Sequence, residues 1–311
     1  MASALVTKPP PTPTYQLSYP ASHVLLITID RPRAMNSLPY ASHWEAEALM
    51  NWFDAEPSLR VAVVTGAGDK AFCAGQDLIE QDQLQKLARK GELPPRQMMT
   101  HPPSGFMGIS RREGKKPVIA AVNGFAMGGG FEICLNWCVA FIAVPCFICI
   151  AKIKAKHPLI TAPASDMIVA SPTATFALPE ASRGLYAAAG GLARIVRIAG
   201  LQIGSEVAMA GRKLSAQEAL QFQLVNRVSA SSRTVVHEAV ELAGRVAGLS
   251  PDAIIVTRHG LRQAWETASV ERAAQTTEQR YGAALRTSDN IAIGLDAFAR
   301  KKAPQWVPSK L

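Results

Sequence analysis

A chain of 311 residues with 48% hydrophobic composition can bury a substantial core, as one main domain with a smaller helical part. Its formal charge of +9 and isoelectric point near 9.5 favour an anionic partner. The basic residues are scattered, with neither arginine-glycine repeats nor the aromatic strand motifs of RNA-binding modules, which argues against nucleic acid. The five cysteines set out no disulfide framework and fit a reducing compartment.

Residues 1–18 carry several prolines and a single lysine among the first fifteen residues. They read as a disordered lead-in ahead of a core over 19–230, and not as a secretory or mitochondrial presequence. Strand-like runs follow at Val24 to Ile29, Val61 to Thr65, Val118 to Val122, Asp166 to Ala170 and Thr175 to Leu178, with helical stretches between them. This alternation predicts an α/β fold. From 231 to 306 the pattern turns helical: Val235, Val236, Ala239, Val240, Ala243, Val246 and Ala247 recur at helical spacing, and Ser250 with Pro251 reads as a cap and first position. Residues 307–311 form a tail ending Ser309, Lys310, Leu311.

Two motifs carry the chemistry. AFCAGQDL, Ala71 to Leu78, follows the β-branched run Val61 to Thr65, and its Cys73, Ala74 and Gly75 suit a tight turn where backbone can approach a ligand. In NGFAMGGGFEIC, Asn123 to Cys134, three glycines open a helix whose unpaired first-turn N–H groups and positive dipole end suit an anion. Two carboxylates accompany them. Glu132 follows the glycines in the first turns of that helix, and Glu180 ends ATFALPE, where apolar neighbours raise a carboxyl pKa. Cys73 and Cys134 read as small core residues.

Together these segments resemble the crotonase family, the enoyl-CoA hydratases and isomerases, from about Thr28 to Trp306. The resemblance implies a spiral of ββα units with a C-terminal helical region that builds trimers, often paired as hexamers. It implies that the N–H groups of Gln76 and Gly129 hold a thioester oxygen, and that Glu132 and Glu180 share a water added to a 2-enoyl-CoA. An isomerase would use one glutamate only, and a catalytically silent acyl-CoA-binding or RNA-binding paralogue neither. Arg33, Ala34 and Met35 match a coenzyme-binding loop, Asp77 and Leu78 at the end of the first motif join them as coenzyme-binding residues, and Phe298 and Lys301 match a closing motif that touches the adenine and phosphate of coenzyme A. The coenzyme is then part of the substrate, with no separate cofactor and no metal. One departure is the run Ala187 to Ala189 ahead of Gly190 and Gly191, whose methyl groups narrow the acyl pocket; Tyr186 also lines it.

The family would pass almost directly from helix to strand where this chain inserts Trp137 to Ser165. The apolar stretch Trp137 to Ala151 is too short to span a membrane and is broken by Pro145. Cys138, Cys146, Cys149 and His157 lack zinc-like spacing. Codon logic offers translated intron: a GT donor within the Trp137–Cys138 codons and an AG acceptor within the Ser165 codon would restore one cysteine between Asn136 and Asp166. A lineage-specific loop is the rival. The terminal SKL, set after Pro304, Trp306 and Pro308 in a stretch not expected to fold back, reads as a peroxisomal address for an import receptor, consistent with fatty-acid β-oxidation.

Overall fold

The computed structural model describes residues 5–92, 99–137, 167–267 and 269–311. Strand β1 (Tyr15–Ala21) pairs antiparallel with β2 (Val24–Ile29), and helix α1 (Tyr40–Ala55) leads to the first repeated unit. That unit places β3 (Val61–Gly66) in one sheet, β4 (Ala71–Cys73) in a second, and then α2 (Leu78–Arg89). The next repeats it with β5 (Val118–Val122), β6 (Phe125–Met127) and α3 (Gly129–Trp137). A third follows with β7 (Ile168–Ala170), β8 (Thr175–Ala177) and α4 (Gly191–Met209). Strand β9 (Leu214–Ser215), α5 (Ala216–Gln221) and β10 (Arg227–Val228) complete the sheets. Their orders are β1-β2-β3-β5-β7-β10 and β4-β6-β8-β9. This is the expected spiral of ββα units.

Alternation of side chains along each strand divides the core in two. Leu25, Ile27, Ala62, Val64, Val118, Ala120 and Val122 join the main core. Val24, Val61, Val63, Ile119 and Ala121 face the other way and pack against α6 (Val235–Ala247) through Val235, Ala239 and Ala243. Because both faces of the six-stranded sheet are covered at its centre, the inner strands β3 and β5 read as continuous apolar runs. Each fully buried Leu or Ile contributes roughly 1.5–3 kcal/mol. After α6 come α7 (Pro251–Thr267), α8 (Val270–Thr277), α9 (Ala283–Arg286) and α10 (Asp289–Ala299). Pro251 opens α7, and Ser250 Oγ accepts the Ala253 N–H at 3.4 Å, as the cap pattern predicts.

Two expectations are corrected. The lead-in is not disordered over its described part: Tyr15 begins a strand, and the N–H groups of Val6 and Thr7 donate to the Glu56 carboxylate at 3.0 and 2.7 Å. Polar anchoring from a residue far along the chain supplies what the proline-rich composition lacks. The tail does fold back. Trp306 Nε1 donates to Gly248 O at 3.0 Å, the Asn290 side chain pairs with both backbone groups of Val307, and Lys115 Nζ donates to Leu311 O at 2.7 Å. Prolines bar a helix or sheet there, yet an extended segment can still satisfy its backbone through side chains. No described helix is long and apolar enough to cross a membrane. Apart from Trp137, the insertion with Cys138, Cys146, Cys149 and His157 lies outside the described residues.

Candidate active site

The loop after β4 is held on its outer side by the segment before α1. Leu38 N–H donates to Gly75 O, Asp77 N–H donates to Leu38 O and Ala74 N–H donates to Met35 O, at 2.9, 2.9 and 3.1 Å. In that parallel bridge between Leu38 and Gln76 the Gln76 N–H points the opposite way. Gly75 has φ +93, a left-handed conformation, and a carbon added to it would lie 2.9 Å from Met127 O and 3.3 Å from the Gly129 nitrogen. The two glycine motifs therefore meet. Helix α3 abuts the same loop, since a carbon added at Gly130 would fall 2.1 Å from Cys73 O. Neither the Gln76 N–H nor the Gly129 N–H finds a partner among the described residues, and both residues line one cavity of about 290 Å³.

Both glutamates line that cavity as well. Glu132 is 3% exposed and its Oε1 accepts the Gly191 N–H at 2.9 Å. Burial pushes its carboxyl up to about 7, opposed by the Gly191 hydrogen bond and reinforced by the nearby charge of Glu180. Burial also raises Glu180, whose Oε2 is buried without a partner among the described residues. A carbon added at Gly128 would lie 3.0 Å from Glu180 Oε1, so this carboxylate stands over the glycines that open α3. Two carboxyls that both resist ionisation keep one proton between them near neutral pH. Such a pair can give and take a proton, and two unpaired amides beside it can hold an oxygen that gains negative charge.

Tyr186, Ala188 and Ala189 line the cavity as the sequence suggests, whereas Ala187 packs into the main core; Leu78 also lines the cavity. Asp77 is used otherwise. Its carboxylate accepts from Ile79 N and Glu80 N as the cap of α2 and pairs with Arg31 at 2.9 Å, so it positions the loop. Arg33, Ala34 and Met35 form the turn tied to Ala74 and do not line the cavity. Phe298, 86% exposed, and Lys301 lie at the end of α10 and are also absent from its walls. Cys73 and Cys134 are buried, as expected of core residues.

Sequence reasoning missed His43, His101, Phe106 and Arg111. His43 sits on the buried stripe of α1, between Ser42 and Ala46, where nothing in the sequence separates it from core filling. Its ring is 4.4 Å from Phe106 and 4.5 Å from His101, centroid to centroid. Burial, then His101, brings its pKa down to about 3 against the Gln76 hydrogen bond, so the imidazole is neutral.

Residues 20–144 and 159–308 match the model of the enoyl-CoA hydratase/isomerase family. The chain belongs to this family. The break in the match falls inside the segment singled out as an insertion. The family relatives include the mevalonyl-coenzyme A hydratase of Beauveria bassiana, 40% identical over 98% of this chain and 98% of the relative. The carnitinyl-CoA dehydratase of Proteus mirabilis is 35% identical over 91% of this chain and 94% of its own. Among solved structures, an enoyl-CoA hydratase from Mycobacterium tuberculosis superposes with a TM-score of 0.74 at 27% identity, covering 96% of this chain and 100% of that one. This is a crotonase-family enzyme of the hydratase/dehydratase type acting on coenzyme A thioesters.

Proposed function

We propose that this chain adds water across the double bond of a 2-enoyl-CoA and removes it in reverse, with Gln76 and Gly129 holding the thioester oxygen and Glu132 and Glu180 handling water. In the forward direction the carboxylate pair takes a proton from water as its oxygen bonds to the β-carbon. The π electrons move toward the thioester, and the resulting enolate oxygen is held by the two amides. The enolate then takes a proton at the α-carbon from the pair. One H and one OH are thus added and the pair ends with the protons it began with. The observation that carries the reading is the presence of both glutamates in one cavity with the two unpaired amides. A double-bond isomerase needs a single acid, so the pair favours hydration.

The mevalonyl and carnitinyl groups in the names of the relatives support a short, substituted acyl group as substrate. An unbranched 2-enoyl-CoA of fatty-acid β-oxidation is the second reading, favoured by the Ser309-Lys310-Leu311 terminus as an address for peroxisomal import. Because that terminus is tied down through Leu311 and Lys310, capture by an import receptor requires its release. The exposed Phe298 and Lys301 favour an assembly, a trimer or a pair of trimers, in which they meet the coenzyme outside this chain's own cavity. Disappearance of the conjugated enoyl-thioester absorbance tests hydration of crotonyl-CoA and of dehydrated mevalonyl-CoA, and its appearance tests the reverse reaction from mevalonyl-CoA.

A further inference from the structure

The side chain of Gln76 is held in one orientation by two histidines. Met107 N–H donates to His43 Nδ1 at 3.0 Å, so the single ring proton of the neutral imidazole is on Nε2. That Nε2 lies 3.0 Å from Gln76 Oε1. The amide oxygen therefore faces the histidine, and a flipped amide would set two donors against each other. His101 Nε2 approaches the same oxygen at 3.1 Å. With its oxygen doubly engaged, the amide presents only its Nε2 to anything else.

Gln76 Nε2 is buried and has no partner among the described residues. The residue lines the same cavity as Glu132 and Glu180, and its backbone amide is one of the two unpaired donors there. A structure that spends two histidines on orienting one amide, and leaves the other end unpaired, has a donor ready for an acceptor. Already out of water and unpaired among the described residues, this nitrogen gains a partner from an acceptor on the ligand and gains nothing from an alkyl chain. The short side chain confines the acceptor to within a few carbons of the thioester held by the same residue.

We propose that Gln76 Nε2 is a specificity donor: it hydrogen-bonds a hydroxyl oxygen on the acyl chain close to the thioester, so that the cavity selects hydroxyl-bearing short acyl-CoAs over their plain alkyl counterparts. The inference rests on the thioester placement argued above, but not on the hydration step. A site built to hydrogen-bond a substituent discriminates against the analogue that lacks it, since the donor is then left unpaired. His43 and His101 are positioning residues for that donor.

Binding of saturated, unreactive thioesters tests this apart from turnover. Dissociation constants of 4-hydroxybutanoyl-CoA and 5-hydroxypentanoyl-CoA are measured by calorimetry beside those of butanoyl-CoA and pentanoyl-CoA. At least one hydroxylated ligand is expected to bind roughly tenfold or more tightly than its alkyl partner. Gln76→Met, similar in length and without the side-chain amide, is expected to bring that ratio to about one whatever its absolute affinities, with the far-ultraviolet spectrum and the thermal unfolding midpoint as the control for a folded protein. Equal affinities in the wild-type protein, or a preference that survives in Gln76→Met, would overturn the proposal. Absence of enoyl-CoA turnover with the hydroxyl preference intact would instead overturn the hydratase reading alone.

Discussion

The Gly191 N–H reaches Glu132 Oε1 at 2.9 Å across 59 residues of sequence, joining the start of α4 to the first turn of α3. This single hydrogen bond does not offset burial, which leaves the Glu132 carboxyl raised from 4.5 to about 7. Between those values the folded state keeps a proton that the unfolded chain releases, so stability must fall as pH rises through the window. The shift corresponds to on the order of 3 kcal/mol. Urea unfolding from pH 4.5 to 8 should show this loss in the wild-type protein and a much flatter dependence in Glu132→Gln, which cannot ionise. A Glu132→Gln protein as pH-dependent as wild type would place the proton elsewhere.

Activity should follow the same proton. With Glu132 at about 7, coupled to Glu180, which is also raised, the pair needs one proton bound and one site open. A bell-shaped kcat/KM profile is expected, its alkaline limb near pH 7 where the last proton leaves and its acid limb where both carboxyls are neutral. The two apparent constants belong to the pair. A rate flat from pH 6 to 9 would contradict single-proton catalysis.

Gly75 supplies a test of the amide geometry. An alanine there must adopt φ near +93 with its methyl 2.9 Å from Met127 O and 3.3 Å from the Gly129 nitrogen. The carbon both strains the loop and crowds one of the two oxygen-binding donors. Loss of one such donor costs roughly 3 kcal/mol of barrier, or about a hundredfold or more in kcat. Gly75→Ala should show that loss in steady-state kinetics, and full activity in a folded variant would separate Gly75 from the oxygen-binding site.

Much of the site was legible because its chemistry needs backbone as much as side chains. Gly75 and the run Gly128 to Gly130 mark where the chain approaches a ligand, and Glu132 and Glu180 keep fixed places after them. The sheet was legible wherever both faces are buried, as at Val61 to Val64. The short strands Ala71–Cys73, Phe125–Met127, Leu214–Ser215 and Arg227–Val228 were not, because two or three residues carry no periodicity; Ile168–Ala170 and Thr175–Ala177, equally short, were legible only as parts of longer apolar runs. Long-range polar ties escape composition entirely: nothing near Val6 announces Glu56, and nothing near Val307 announces Asn290. His43 and His101 escaped for the same reason. Only the fold shows that both imidazoles converge on Gln76 Oε1.

The segment Trp137 to Ser165 separates α3 from β7 and contains the break in the family match at residues 145–158. The intron proposal predicts a major transcript that reads Asn136, one cysteine and then Asp166. A protein shortened in this way should fold and retain enoyl-CoA turnover. Transcript sequencing that finds all the intervening codons in the major message would leave a genuine loop as the explanation.

The most direct test follows the conjugated enoyl-thioester absorbance of crotonyl-CoA and of dehydrated mevalonyl-CoA with wild-type protein, Glu132→Gln and Glu180→Gln. Wild type should consume the chromophore of at least one of them, and each glutamine variant should be slower by at least about a hundredfold, the lower range for a lost acid or base. Unchanged turnover in Glu180→Gln would contradict the paired-glutamate account.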